Sequence, residues 1–110
     1  MRHEVKKYLF DIISCIQNIE MFIDSTDFDG FKKNIMLQHA VERDLEIIGE
    51  AMNNILKIYP EIKITNARRI VDTRNRLIHG YDGIQRSQVW DIVITHLPIL
   101  KVEAQSLLKD

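Results

Sequence analysis

Cysteine occurs once, at Cys15, so the chain has no internal disulfide framework and no cysteine-based zinc finger. That usage suits a reducing compartment. Four glycines and two prolines leave little material for tight turns, which disfavours a strand-rich sandwich and favours long helices. No stretch approaches the ~20 apolar residues of a membrane span. The first residues, Met1-Arg2-His3-Glu4-Val5-Lys6-Lys7-Tyr8, mix charge into the apolar positions where a secretion signal keeps an unbroken core. The expected location is the cytoplasm, with no membrane partner. Charge of one sign is not in excess either. Fifteen Lys and Arg face sixteen Asp and Glu, for a net charge of -1. Bulk attraction is therefore not how this chain would hold a nucleic acid, and any polyanion site must be local. His3, His39 and His96 lack metal-ligand spacing, and no glycine-rich phosphate loop is present, so neither a metal nor a cofactor is expected.

What is present is an ordinary globular composition, 45% hydrophobic and 28% charged over 110 residues, too short for two independent cores. One domain spanning 1–110 is expected. The turn-forming residues divide it into four amphipathic segments. The first runs from about Arg2 to Asp24, with Val5, Leu9, Ile12, Ile16 and Ile19 on one face. Phe28-Asp29-Gly30-Phe31 reads as a connecting turn. The second helix spans about Lys33 to Ile58 and stops before Pro60. The third starts near the cap candidates Thr65 and Asn66 and ends near His79, before Gly80. The fourth covers about Gln85 to Lys109, after an Asp82-Gly83 turn, and Pro98 should kink it. Short connections predict an all-α, up-and-down four-helix bundle with a short third helix. Phe10, Ile13 and Met21 fall away from the first helix's main stripe, an apolar face that a homodimer would cover.

Two charges interrupt the stripes. Asp44 lies among Leu37, Val41, Leu45, Ile48 and Met52, and Arg74 takes the place between Ile70 and Ile78 where an aliphatic residue normally sits. An unpaired buried charge costs several kcal/mol, so the two are expected either to pair or to face a wet cleft. Arg74 opens a dense run, Arg74-Asn75-Arg76-Leu77-Ile78-His79-Gly80-Tyr81. Its guanidinium fork matches phosphate oxygens, and His79 supplies an imidazole, the side chain that when unperturbed can both take and return a proton near neutral pH. From Lys63 to Arg86 six basic residues (Lys63, Arg68, Arg69, Arg74, Arg76 and Arg86) oppose Asp72 and Asp82, a surplus of +4 in a chain that is -1 overall. Arg68, Arg69, Arg76 and Arg86 are candidate RNA contacts or else a solvated helix face. Arg74 and His79 are about 140° apart on an ideal helix, so they converge only if the helix end unwinds or a second subunit contributes.

The run Arg74 to His79 resembles the R-x4-6-H signature of HEPN-domain ribonucleases, with the favoured polar residue, Asn75, after the arginine. Extended to Tyr81, it resembles the HepT-like toxins that are paired with a minimal nucleotidyltransferase antitoxin. Arg43-Asp44-Leu45-Glu46-Ile47-Ile48-Gly49-Glu50-Ala51 and Val89-Trp90-Asp91-Ile92-Val93 resemble that family's second and last helices. The resemblance implies a HEPN-like bundle and a homodimeric, metal-independent endoribonuclease. Arg74 and His79 would be catalytic, Asn75 and Asp44 supporting, and Tyr81 would accept AMP from the antitoxin. The same residues would also serve a non-catalytic reading, in which the chain is a helical partner presenting a nucleotide to the transferase.

Overall fold

The structure, a computed structural model, describes residues 1–79 and 85–109. Among these no strand occurs. The chain forms α1 (His3–Phe22), α2 (Phe28–Lys33), α3 (Ile35–Ile58), α4 (Ala67–His79), α5 (Arg86–Asp91), a π-helical turn (Ile92–His96) and α6 (Leu97–Lys109). The last three follow one another directly as one rod, so α1, α3, α4 and this rod are the four expected helices, the third being the shortest. α1 packs on α3 and α6, and α3 packs on α4. Met1, Arg2 and Val5 share a pocket with Ile58, Tyr59 and Leu107. The start of α1 and the ends of α3 and α6 therefore lie together, as an up-and-down bundle requires. No helix among the described residues is long and apolar enough to cross a membrane.

The core joins Leu9, Ile12, Ile16 and Ile19 of α1 to Val41, Ile48, Met52 and Ile55 of α3 and to Val89, Val93, Leu100 and Ala104 of the last rod. Ile13 belongs to this core, contrary to the outward place the periodicity assigned it, while Phe10 and Met21 stay 60% and 70% exposed. Asn34 caps α3 by accepting from the Leu37 N–H at 3.0 Å.

The segment expected as a turn, Phe28–Phe31, is instead the start of the six-residue α2. A helix this short is not stable alone. Asp27 caps it by accepting from the Gly30 N–H at 2.8 Å. At its other end the buried Gln38 of α3 donates through Nε2 to the carbonyls of Phe31 and Lys32 at 2.9 and 3.0 Å. Phe28 and Phe31 then lean on Trp90, with ring centroids 6.3 and 5.2 Å away, tying α2 to α5. Gln38 belongs to the next helix and Trp90 lies far along the chain, so the segment's own pattern reads only as a turn.

The distortion expected at Pro98 takes the form of the π turn just before it, in which the Leu97 N–H bonds to the Ile92 carbonyl. A regular turn would press the proline ring on the Ile94 carbonyl, and proline has no N–H to offer. α4 is joined to α6 at its entry. The Thr65 hydroxyl donates to Glu103 Oε2 at 2.7 Å and the Thr65 N–H to Oε1 at 3.1 Å. Asn66 turns into the helix with φ 61°. A cleft of about 50 Å³ remains between α4 and the π turn, floored by Leu45, Ile48 and Leu100.

α3 presents different flanks to its two neighbours. Asp44, 8% exposed, lies towards α1, where the thiol of Cys15 and the amide of Asn18 donate towards its carboxylate. Burial pushes its pKa up; those donors and the Arg43 charge pull it down. Burial likewise pushes the Cys15 thiol up to about 12, with the Asp44 charge adding to the effect. Gly49 lies about 140° further round α3, on the flank that receives α4. There a Cβ would overlap the Arg74 Cβ, and would stand 2.9 Å from the Arg74 Cγ and 3.0 Å from the Ile70 carbonyl oxygen. The two helices meet through this missing side chain.

Gly49→Ala sets two effects against each other. Helix propensity favours alanine by about 1 kcal/mol, whereas forcing backbone and Cβ atoms apart costs about 1–3 kcal/mol or more. A net loss of stability is expected in urea unfolding, and a more stable variant would contradict the close approach. For Asp44 a raised folded pKa means that its stabilising contribution is complete at pH below its unfolded pKa and is lost as pH climbs through the folded value. Asp44→Asn should therefore gain on the parent protein as pH rises across the carboxylate range, with the gap closing in acid. A constant gap over that range would show that burial does not penalise the charge.

Candidate active site

Seated on Gly49, Arg74 occupies the middle of the α3-facing side of α4 and is half-buried. Its Nε is withdrawn from solvent and has no hydrogen-bond partner among the described residues. An orphaned buried donor costs on the order of 1–3 kcal/mol and is unusual in a purely structural side chain. The far end of the guanidinium is engaged: Nη1 donates to Asn75 Oδ1 at 2.9 Å.

That bond changes the angular problem posed by the sequence. Asn75 and position 79 are four residues apart and share one face of α4. By donating to Asn75, the Arg74 guanidinium is drawn around the helix from its α3-facing origin towards the face on which position 79 lies. The arginine's length thus bridges much of the separation that α-carbon positions alone impose. α4 ends at His79. The His79 imidazole, Gly80, Tyr81 and the Asp82-Gly83 turn lie outside the described residues.

The expected Asp44–Arg74 ion pair does not form. The two residues contact different flanks of α3, Asp44 turned to α1 and Arg74 resting on Gly49. Five residues, about 140°, separate Asp44 from Gly49. The inward stripe used to place both charges was wide enough to contain two neighbours at once, and periodicity cannot say which helix covers which edge.

The other arginines also part company. Arg69 and Arg76 line an open polar groove between α4 and α5. Arg68 is exposed elsewhere on α4, and Arg86 opens α5, where its charge, together with that of His39, draws down the Glu42 carboxyl that burial pushes up. His96 lies at the cleft beside α4, with Nε2 3.6 Å from Asp91 Oδ2. Met36 falls about 140° from Val41 on α3 and is 82% exposed. Met52 is packed as expected, and Cys15 is buried too. Among the described residues no group of three or more His, Cys, Asp or Glu side chains could hold a metal ion. Gly49 is the site residue that the pattern analysis missed. Its signal was available: a glycine inside a long helix forfeits propensity and therefore marks a close contact.

Comparison with known proteins points the same way. The family model described as "Ribonuclease HepT-like" matches residues 12–107. "Probable ribonuclease HepT" of Thermococcus cleftensis is 37% identical over 99% of this chain and its own full length. "Putative RNase MJ0127" of Methanocaldococcus jannaschii is 35% identical over 99% of this chain and 91% of the relative. "Putative RNase MJ1380" of the same organism is 37% identical over 94% of this chain and 96% of the relative. No solved structure matches. With the match covering nearly the whole bundle and the run from Arg74 to His79 inside it, the chain belongs to the HepT-like ribonuclease family.

Proposed function

We propose that this protein, a single domain over 1–110, is a metal-independent endoribonuclease toxin acting as a homodimer, neutralised by a cognate nucleotidyltransferase antitoxin. The observation that carries the reading is the half-buried Arg74, its Nε unpartnered and its Nη1 held by Asn75 at 2.9 Å. A cation kept in place by one neutral bond retains its charge for an incoming phosphate. The ribonuclease names of relatives matched over nearly their full length support RNA as the substrate.

His79 takes the proton of a ribose 2′-hydroxyl as that oxygen bonds to the adjacent phosphorus. The phosphorus–5′-oxygen bond breaks, and the departing oxygen takes a proton from water, leaving a 2′,3′-cyclic phosphate and a 5′-hydroxyl while the proton on His79 returns to solvent. Arg74 stabilises the charge that builds on the phosphoryl oxygens, and Asn75 orients Arg74. A second copy covers the apolar stripe left by Phe10 and Met21, which lie eleven residues apart and within about 20° on α1. The antitoxin transfers AMP from ATP to the Tyr81 hydroxyl, releasing pyrophosphate. The bulky anion attached there then competes with RNA for Arg74. Asp44 supports this arrangement only at a distance, through the α1–α3 contact.

Labelled RNA incubated in EDTA with the purified, unmodified protein tests the reading. Cleavage to cyclic-phosphate ends is expected, and a 2′-deoxy strand should survive. His79→Ala and Arg74→Ala should each lose activity by about 10²-fold or more with helicity retained, and Asn75→Ala by less. Intact RNA throughout would overturn it and favour the non-catalytic partner, as would undiminished cutting by His79→Ala.

A further inference from the structure

The groove between α4 and α5 has the makings of a second binding surface. It is open, about 580 Å³ in volume, and its walls include Arg69, Asp72 and Arg76 from α4 and Ser87, Gln88 and Asp91 from α5. Arg69 and Arg76 are seven residues apart, almost two full turns, so both stand on one face of α4 about 10 Å apart along its axis. Asp72 sits three residues from one and four from the other, the spacing at which helical ion pairs close. Neither arginine closes on it, although Lys7 with Asp11 and Arg43 with Glu46 do so elsewhere at the same spacings. Asp91 is engaged on both oxygens, accepting from Thr95 at 3.0 Å and facing His96 at 3.6 Å. Gln88 accepts at Oε1 from the Gln85 N–H at 3.1 Å, which leaves its amide NH₂ as a donor. The groove thus holds two open guanidiniums beside Asp72 on one wall, and Ser87, Gln88 and the engaged Asp91 on the other, so its formal charges balance while the arginines stay unpaired.

Its direction matters as much as its chemistry. From Arg69 to Arg76 the face drifts by about 20°, and three residues on, by about 60° more, it reaches position 79 at the helix end. Arg74 lies on another side of α4, over Gly49. The groove is therefore a track leading towards the end of α4, on a different side of the helix from Arg74.

We infer that the α4–α5 groove binds the single-stranded RNA flanking the scissile phosphate, with Arg69 and Arg76 on its phosphates and Gln88 and Ser87 on base edges. The inference rests on RNA being the substrate. Single strands suit the site because only unpaired bases expose their edges to side chains set back from the backbone contacts. A volume of this size takes a ligand of drug-like dimensions, roughly a nucleotide or two. In a chain of net charge -1, the two unpaired arginines supply phosphate contacts that are short-range and local, because Asp72 and Asp91 cancel their charge at a distance.

The test is binding, measured by fluorescence anisotropy on full-length His79→Ala protein, so that a labelled single-stranded RNA of about twelve nucleotides stays whole. Adding Arg69→Ala and Arg76→Ala should weaken binding about tenfold or more. It should also lower the slope of log affinity against log salt by about 1.4, since each phosphate contact on a single strand contributes about 0.7. Arg69→Lys with Arg76→Lys should keep the slope, and Gln88→Ala should weaken binding without changing it. All of these side chains are exposed, so circular dichroism should be unaltered. Equal affinity and equal slope in the alanine variant, or no RNA binding by the His79→Ala protein, would overturn the inference. If unmodified protein cuts RNA while the alanine variant binds normally, the groove fails and the nuclease reading stands; if nothing is cut but the groove variants behave as expected, the reverse holds.

Discussion

The contact between α3 and α4 at Gly49 is the constraint from which the rest of the site follows. With no side chain at that position, the Arg74 Cβ and the Ile70 carbonyl come close to the α3 backbone. That approach half-buries the arginine and withdraws its Nε from water. The remaining reach of the side chain takes its guanidinium round to Asn75. A larger residue at position 49 would separate the rods and let the arginine swing into solvent, where its charge is screened and its geometry averaged. Packing and electrostatics are one problem here: the helix–helix distance sets the environment of the cation.

The opposite flank of α3 solves a different problem. Asp44 is buried without an ion pair, against the thiol of Cys15 and the amide of Asn18. Neutral donors stabilise a buried carboxylate less than a cation does, which is why burial dominates its titration. A residue that looked like half of a functional pair is thereby part of the α1–α3 seam. The same helix thus carries an electrostatic liability towards α1 and a steric vacancy towards α4, and only the second reaches the candidate site.

The outer surfaces divide in a similar way. α1 leaves Phe10 and Met21 exposed. The α4–α5 groove instead displays arginines that forgo available carboxylate partners. Matched relatives of nearly the same length are named as ribonucleases, so the features that make that chemistry feasible are expected within this one bundle.

The sequence by itself determined the all-helical class, the four rods to within a few residues, and the run from Arg74 to Tyr81 that resembles the family's signature. These are properties of local spacing, because the helical period and the scarcity of turn residues leave few alternatives. It also marked Pro98 as a point of distortion without giving the π turn its form. Only the tertiary structure decided that Phe28–Lys33 is a helix, since its capping donor Gln38 comes from the next helix and its aromatic support Trp90 from the last rod. Only it separated Asp44 from Arg74, joined Arg74 to Asn75 and set Arg69 and Arg76 in a groove with α5. The physical reason is common to all of these. Periodicity assigns a residue to a side of its own helix, whereas which neighbour covers each flank, and how closely, depends on side-chain volumes summed over the whole bundle.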